Sequence, residues 1–130
     1  MKIIITGGKS PENYWEHIES AVKMAAKIIP VEKIKTVVSF DKLGSKWCEK
    51  KFLKCKEFFP DWLDIPAPDA IIKTAADGHQ YNALAAKIRD QKAVEYSNGG
   101  IFIYHEGCYL ENIIEMMQKK APKKTIIYEV

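Results

Sequence analysis

The chain has 130 residues and a mass of 14.8 kDa, enough for one hydrophobic core and too few for two independent ones. Apolar residues make up 47% of it and charged residues 28%, proportions that exclude wholesale disorder. No apolar run approaches the length of a bilayer span, and the first residues lack the small-residue cleavage site of a secretion signal, so we expect none. We therefore expect a single cytoplasmic domain over residues 1–130, with no membrane partner.

The positive charge of the chain comes almost entirely from lysine. The formal net charge is +3, and Arg89 is the single arginine among the 20 basic residues. Proteins that bind nucleic acid usually cluster their basic residues and use arginine for planar, bidentate contacts. Because the lysines here are interspersed with acidic residues nearly everywhere, we do not expect a nucleic-acid partner.

The three cysteines predict neither a disulfide framework nor a metal site. Cys48 and Cys55 are seven positions apart on a predicted helix, so they are about 10 Å apart along its axis, too far for a disulfide bond. Cys108 stands alone, and scattered free thiols are typical of a reducing compartment. The three histidines lack the spacing of metal ligands. We expect no metal and no cofactor.

The first half of the chain alternates strand and helix patterns. Lys2–Thr6 contains three consecutive isoleucines and is ended by two glycines, and the lack of polar alternation is typical of a strand buried on both faces. Ser10 is a suitable N-cap for an amphipathic helix that Pro30 stops. A second strand is predicted at Lys35–Ser39 and a second helix from about Ser45 to Lys56.

The second half continues the alternation after a proline-rich stretch. Its predicted elements are, in order, a short strand at Glu57–Phe59, a short helix within Asp69–Ala76, a long helix over Tyr81–Tyr96, a strand at Gly100–His105, a helix marked by Leu110, Ile113, Ile114 and Met117, and a strand at Lys124–Tyr128. Strands that alternate with helices predict a Rossmann-like three-layer α/β/α domain with a mostly parallel five-stranded sheet. We expect the strand order 3-2-1-4-5.

Three loops of such a fold meet outside the carboxyl ends of the strands, where ligands bind. They are Gly7-Gly8-Lys9, the segment from Ser39 to Ser45, and Glu106-Gly107-Cys108. Each leads towards a helix N-terminus, where exposed N–H groups and the helix dipole favour an anion. For any single loop the alternative is that the glycine only permits a tight turn. Three such loops at one edge predict a binding site.

Five short segments carry a family resemblance, and they follow one another along the chain: Ile4-Ile5-Thr6-Gly7-Gly8-Lys9, Val37-Val38-Ser39 with Gly44-Ser45, Phe59-Pro60-Asp61-Trp62, Ala75-Ala76-Asp77-Gly78 with Tyr81-Asn82, and Gly107-Cys108-Tyr109-Leu110-Glu111. In this order they resemble the SLOG superfamily, Rossmann-like proteins that include the LOG-type nucleotide phosphoribohydrolases. The resemblance implies a nucleotide-like ligand and gives Glu111 a catalytic role.

The chain departs from the family pattern at the positions that grip phosphate. Phe40 and Asp41 stand where consecutive glycines are usual, Tyr81 replaces an arginine, and Cys108 replaces a threonine. A diglycine precedes the fourth main strand instead of following it. The resemblance therefore implies a phosphate grip that is lost or redirected, while Glu111 persists.

The predicted ligand-binding residues are Gly7, Gly8, Lys9, Ser39, Asp41, Gly44, Ser45, Tyr81, Asn82, Gly107 and Cys108. Glu111 is the predicted catalytic carboxylate, or an ordinary first-turn acid favoured by the helix dipole. Cys108 is either a reactive thiol near a helix N-terminus or a small substitute for threonine.

Three functions remain open. The first is a homo-oligomeric domain, of bacterial or phage origin, that holds a nucleotide or a signalling nucleotide without efficient turnover. The second is an enzyme that cleaves an N-glycosidic bond through Glu111, as a phosphoribohydrolase or a deoxyribosyltransferase-like protein. The third is a protein-interaction module with an empty pocket.

Overall fold

The computed structural model describes residues 1–7, 14–40, 47–49, 51, 54–58, 71–82, 84–105 and 110–129. The strands and helices are β1 (Lys2–Thr6), α1 (Tyr14–Ala25), β2 (Thr36–Ser39), β3 (Lys54–Glu57), β4 (Ile72–Thr74), β5 (Gln80–Asn82), α2 (Ala85–Tyr96), β6 (Gly99–Tyr104), α3 (Glu111–Lys120) and β7 (Thr125–Glu129). Residues 47–49 are also helical, and 3-10 turns precede β2 and β7.

The main sheet has five strands in the order β3-β2-β1-β6-β7, and every neighbouring pair is parallel. The predicted fold class and the strand order 3-2-1-4-5 are both confirmed. β1 lies at the centre, with Ile4 opposite Val38 on one side and Gly100 on the other. From β1 the chain first adds β2 and β3 on one side of the sheet, and it later adds β6 and β7 on the other side. The switch point of the strand order therefore lies between β1 and β6.

Alternation along the central strand sends side chains into two cores. Ile3 and Ile5 pack with α1, Trp47 and Cys48 on one face, whereas Ile4 packs with α2 and α3 on the other. All three isoleucines are fully buried, and burial of each contributes about 2 kcal/mol. A run without polar alternation thus specifies a strand covered by helices on both faces.

The predicted helix from Ser45 to Lys56 is too long at its carboxyl end. Lys54, Cys55 and Lys56 form β3 and pair with Thr36, Val37 and Val38 of β2. All four residues of β3 are exposed, and the sequence Lys-Cys-Lys-Glu has no strand periodicity. These residues form a strand because the backbone of β2 offers them hydrogen-bonding partners. Local strand propensity does not include such partners, so tertiary context determines the secondary structure here.

In the middle of the chain, a small hairpin is formed by residues for which the sequence predicted helix. β4 and β5 form an antiparallel pair, with Ile72 opposite Asn82, so both the helix predicted within Asp69–Ala76 and the start of Tyr81–Tyr96 are wrong. The turn carries Gly78 at φ 92°, and the Asp77 carboxylate bonds the His79 amide at 3.1 Å. Helix α2 begins only at Ala85.

The diglycine before the fourth main strand belongs to that strand. A Cβ at Gly99 would lie 2.7 Å from the Lys124 carbonyl oxygen, and one at Gly100 would lie 2.5 Å from the Phe102 ring. Both glycines therefore permit close packing of β6 against its surroundings.

No helix in the described part of the chain has the length and apolar character needed to cross a membrane.

Candidate functional site

The carboxyl ends of β1, β2 and β6 lie side by side, as the strand order requires. Thr6 is paired with Phe102, and the chain leaves the sheet at Gly7, Phe40 and His105. Gly7 and Ser39 are buried here. The structure thus brings the starts of the three predicted loops to one edge. The other predicted loop residues, Gly8, Lys9, Asp41, Gly44, Ser45, Gly107 and Cys108, lie outside the described residues.

The end of β2 is fixed by backbone bonding as well as by burial. The Phe58 amide donates to the Ser39 carbonyl oxygen at 3.1 Å, so the chain that follows β3 runs along the end of β2. Phe58 and Phe40 both pack against the core beneath α2 and α3. Phe40, which the sequence suggested as an obstruction in a phosphate loop, therefore has a structural partner in that core.

Arg89 is the residue of this edge that the sequence analysis did not select. Its guanidinium carbon lies 4.5 Å from the centre of the Phe40 ring, a cation–π geometry. Its side chain is 20% exposed, so the group is largely desolvated while still reachable. The signal was present in the composition, because Arg89 is the only arginine of a lysine-rich chain.

Asp90 and Asn112 complete a group with Phe40 and Arg89 that we call the Arg89 cluster. Arg89 Nε donates to Asp90 Oδ1 at 2.9 Å, and Asn112 Nδ2 donates to Asp90 Oδ2 at 3.4 Å. Burial raises the pKa of Asp90 above its ordinary value of 3.8, and the charge of Arg89 with these two hydrogen bonds offsets only part of that rise. Burial thus outweighs the ion pair in setting the protonation of this carboxyl.

Glu111 lies at the same edge of the sheet, on the side of α3 that faces β7. Tyr104 Oη donates to Glu111 Oε1 at 3.2 Å. Glu111 lines a groove of about 260 Å³, the Glu111 groove, together with Tyr104, Ile114, Glu115, Gln118, Ile127 and Glu129. The next residue along α3, Asn112, contacts α2 instead. Three carboxylates give the groove a negative charge, which suits a cation better than a phosphate.

Tyr81 and Asn82 occupy strand β5, in the hairpin, and do not open a helix. The prediction that they begin a helix is therefore wrong. Local sequence favoured a helix there because the alanine-rich segment that follows has high helix propensity.

Within the described ranges, no group of three or more histidine, cysteine or acidic residues is arranged to hold a metal ion. Fold and edge together define a Rossmann-like α/β domain with the Arg89 cluster near its switch point. The chain matches no model of a protein family, no curated protein and no solved structure. The resemblance to the SLOG superfamily therefore stays a prediction.

Proposed function

We propose that this protein binds a nucleotide or a nucleotide-derived small molecule at the carboxyl edge of β1, β2 and β6. The observation that carries the proposal is the position of Arg89, the single guanidinium of the chain, at the end of β2 beside the switch point. Open parallel sheets bind their ligands at this place.

The chemistry of the Arg89 cluster favours a phosphate or carboxylate. The Nε–H of Arg89 is used by Asp90, so a ligand would meet the two terminal amino groups, whose fork matches two oxygens of a phosphate. The Phe40 ring beneath the guanidinium holds it in one orientation. A pre-positioned cation loses little side-chain entropy when it binds an anion.

The acidic surroundings of Glu111 favour binding over turnover. Glu111 belongs to a groove shared with Glu115 and Glu129, which would repel a phosphate group. A ligand whose phosphate meets Arg89 does not need the Glu111 carboxylate for affinity.

Thermal-shift and calorimetric titrations test the proposal with AMP, GMP, CMP, UMP, ADP-ribose and orthophosphate. A ligand of the folded state must raise the melting temperature. We expect at least one nucleotide to do so, with Arg89→Gln weakening its affinity at least about tenfold and Arg89→Lys weakening it less. Lys92→Gln, an exposed change on the same helix, is the control and should leave the affinity unchanged. If no compound binds at millimolar concentration, or Arg89→Gln binds as wild type, the proposal is wrong.

A second candidate function is hydrolysis of the N-glycosidic bond of a nucleoside monophosphate. The hydrogen bond from Tyr104 favours it, because it holds the Glu111 carboxylate at the carboxyl edge of the sheet. Release of free base would be followed by chromatography for wild type and Glu111→Gln. The matched control is Glu115→Gln, because Glu115 lines the same groove one helical turn after Glu111. Release that only Glu111→Gln abolishes would establish the enzyme, and release at the buffer rate would exclude it.

A further inference from the structure

Cys48 and Cys55 lie on the same face of the sheet, although they belong to different elements. Cys48 is in the helical segment after β2 and packs in the core that contains Val37. Cys55 is the register partner of Val37 in the neighbouring parallel strand, and residues in register point to the same face. The Cys55 side chain therefore points towards the helix that carries Cys48.

The two thiols are in hydrogen-bond contact with each other, and neither is in a disulfide bond. The expectation that they share one helix, about 10 Å apart, is wrong because the helix ends before β3. Seven positions of sequence separate them, and they meet because Cys48 is helical whereas Cys55 belongs to strand β3.

The two thiols differ in what can reach them. Cys55 is exposed on edge strand β3, whereas Cys48 is 1% exposed. Burial, followed by the proximity of Cys55, raises the pKa of Cys48 to about 12. A dissolved oxidant therefore meets Cys55 first, and Cys48 stays a protonated thiol until its neighbour has reacted.

We propose that Cys48 and Cys55 form an oxidation site, in which hydrogen peroxide converts the two adjacent thiols into an intramolecular disulfide bond between the helix and β3. The Cys55 sulfur attacks the peroxide, so that an S–O bond forms as the O–O bond breaks, and one water leaves with the thiol proton. The Cys48 sulfur then attacks the sulfenic sulfur of Cys55. The S–S bond forms, the S–O bond breaks, and hydroxide leaves with the Cys48 proton as a second water. Two thiols lose two electrons in total, and one hydrogen peroxide gains them.

The disulfide would attach an exposed edge strand to the core. β3 exposes all four of its residues, and among the described elements it pairs only with β2. A covalent bond from Cys55 to the buried Cys48 restricts the unfolded chain and removes fraying of this edge. The site is independent of the proposed nucleotide site, since it involves neither Arg89 nor Glu111.

The experiment treats the full chain with a small excess of hydrogen peroxide at pH 8, blocks remaining thiols with N-ethylmaleimide and maps the peptides by mass spectrometry. A Cys108→Ser background keeps the third thiol out of the result. We expect a mass loss of about 2 Da, a peptide pair linked through Cys48 and Cys55, and a melting temperature raised by about 5 °C or more. Dithiothreitol should reverse all three changes.

Single substitutions separate the roles of the two thiols. In Cys48→Ala, Cys55 should stop at the sulfenic acid, which dimedone traps. In Cys55→Ala, Cys48 should remain unmodified in the folded protein, because it is buried. Oxidation of Cys55 to the sulfinic acid with Cys48 left free, or a disulfide that joins two chains, would overturn the proposal. The peptide map of the unsubstituted pair decides the question even if either variant fails to fold.

Discussion

The two edges of the main sheet use their polar groups in opposite ways. At the amino edge, backbone and side chains are closely tied: Lys2 N donates to Asn98 Oδ1 at 2.8 Å, and Asn98 N donates to Lys2 O at 2.7 Å. At the carboxyl edge, the half-buried Arg89 and the buried Asp90 form an ion pair in which burial disfavours the carboxylate. The hydrogen bonds of the amino edge stabilise the fold, whereas the carboxyl edge carries the ion pair on which the proposed ligand site depends.

Lys120 shows the structural role of the amino edge most clearly. Its ammonium donates to the carbonyl oxygens of Val94, Glu95 and Ser97, at 2.7, 2.9 and 2.7 Å. Val94 and Glu95 lie in the last turn of α2, and Ser97 is its C-cap, whose amide donates to the Val94 oxygen at 3.3 Å. Carbonyls at a helix C-terminus lack most of the N–H partners of the helix interior, and Lys120 supplies donors to these three. A cation at a helix C-terminus is also favoured by the helix dipole. Substitutions at this edge should therefore change stability while ligand affinity stays the same.

The largest expected effect is that of Gly99→Ala. The added Cβ would meet the backbone oxygen of Lys124 at 2.7 Å, so β6 and β7 must move apart, at a cost of about 3 kcal/mol. Urea unfolding measures it. Gly78→Ala is the contrasting variant, because its Cβ has open space but its φ is 92°, and backbone strain alone should cost about 1 kcal/mol. Equal losses in the two variants would show that strand spacing at this edge is adjustable.

The second effect is that of Lys120→Met, which we expect to reduce the free energy of unfolding by about 2 kcal/mol. The apolar stem is kept, so the loss reports the three hydrogen bonds. Lys119→Met is the control, since the ion pair of Lys119 with Glu115, at 3.2 Å, is exposed, and the variant should lose less than about 0.5 kcal/mol. Neither variant should change nucleotide affinity. A weaker affinity in Lys120→Met would contradict the division between the edges.

The smallest effect is that of Asp90→Asn at the carboxyl edge. Because the folded pKa of Asp90 lies above its ordinary value of 3.8, the folded state binds more protons than the unfolded state, and stability falls as the pH rises above about 4. The asparagine side chain does not ionise, so the free energy of unfolding of the variant should not fall in this way as the pH rises. The variant should therefore be at least as stable as wild type at neutral pH. Urea unfolding from pH 4 to 7 measures the difference in slope. Glu95→Gln, an exposed change on the same helix, should keep the wild-type slope, and a slope of opposite sign at Asp90 would refute the argument.

Most of the fold could be predicted from the sequence, and the errors are concentrated where local pattern is weak. Lys2–Thr6 was predicted with its observed bounds, because an unbroken β-branched run has few alternatives. β3 was assigned partly to a helix, because Lys-Cys-Lys-Glu has no periodicity and becomes a strand only beside β2. The hairpin was missed because its two strands are only three residues each.

The candidate site was predictable in position but not in composition. The strand order brings the ends of β1, β2 and β6 together, as the sequence argument required. Arg89 was not selected because it lies on a helix interior, away from any glycine-containing loop. Its contact with Phe40 joins residues 49 positions apart, and no local pattern encodes such a contact.

By itself, the amino-acid sequence determined the α/β class, the central strand and the order of the main sheet, because these depend on hydrophobic periodicity and on the handedness of strand connections. Only the tertiary structure decided that Cys48 meets Cys55, that Arg89 stacks on Phe40, and that Glu111 faces β7. Each of these depends on the packing of side chains from separate elements, and that packing is fixed only when the helices settle on the two faces of the sheet.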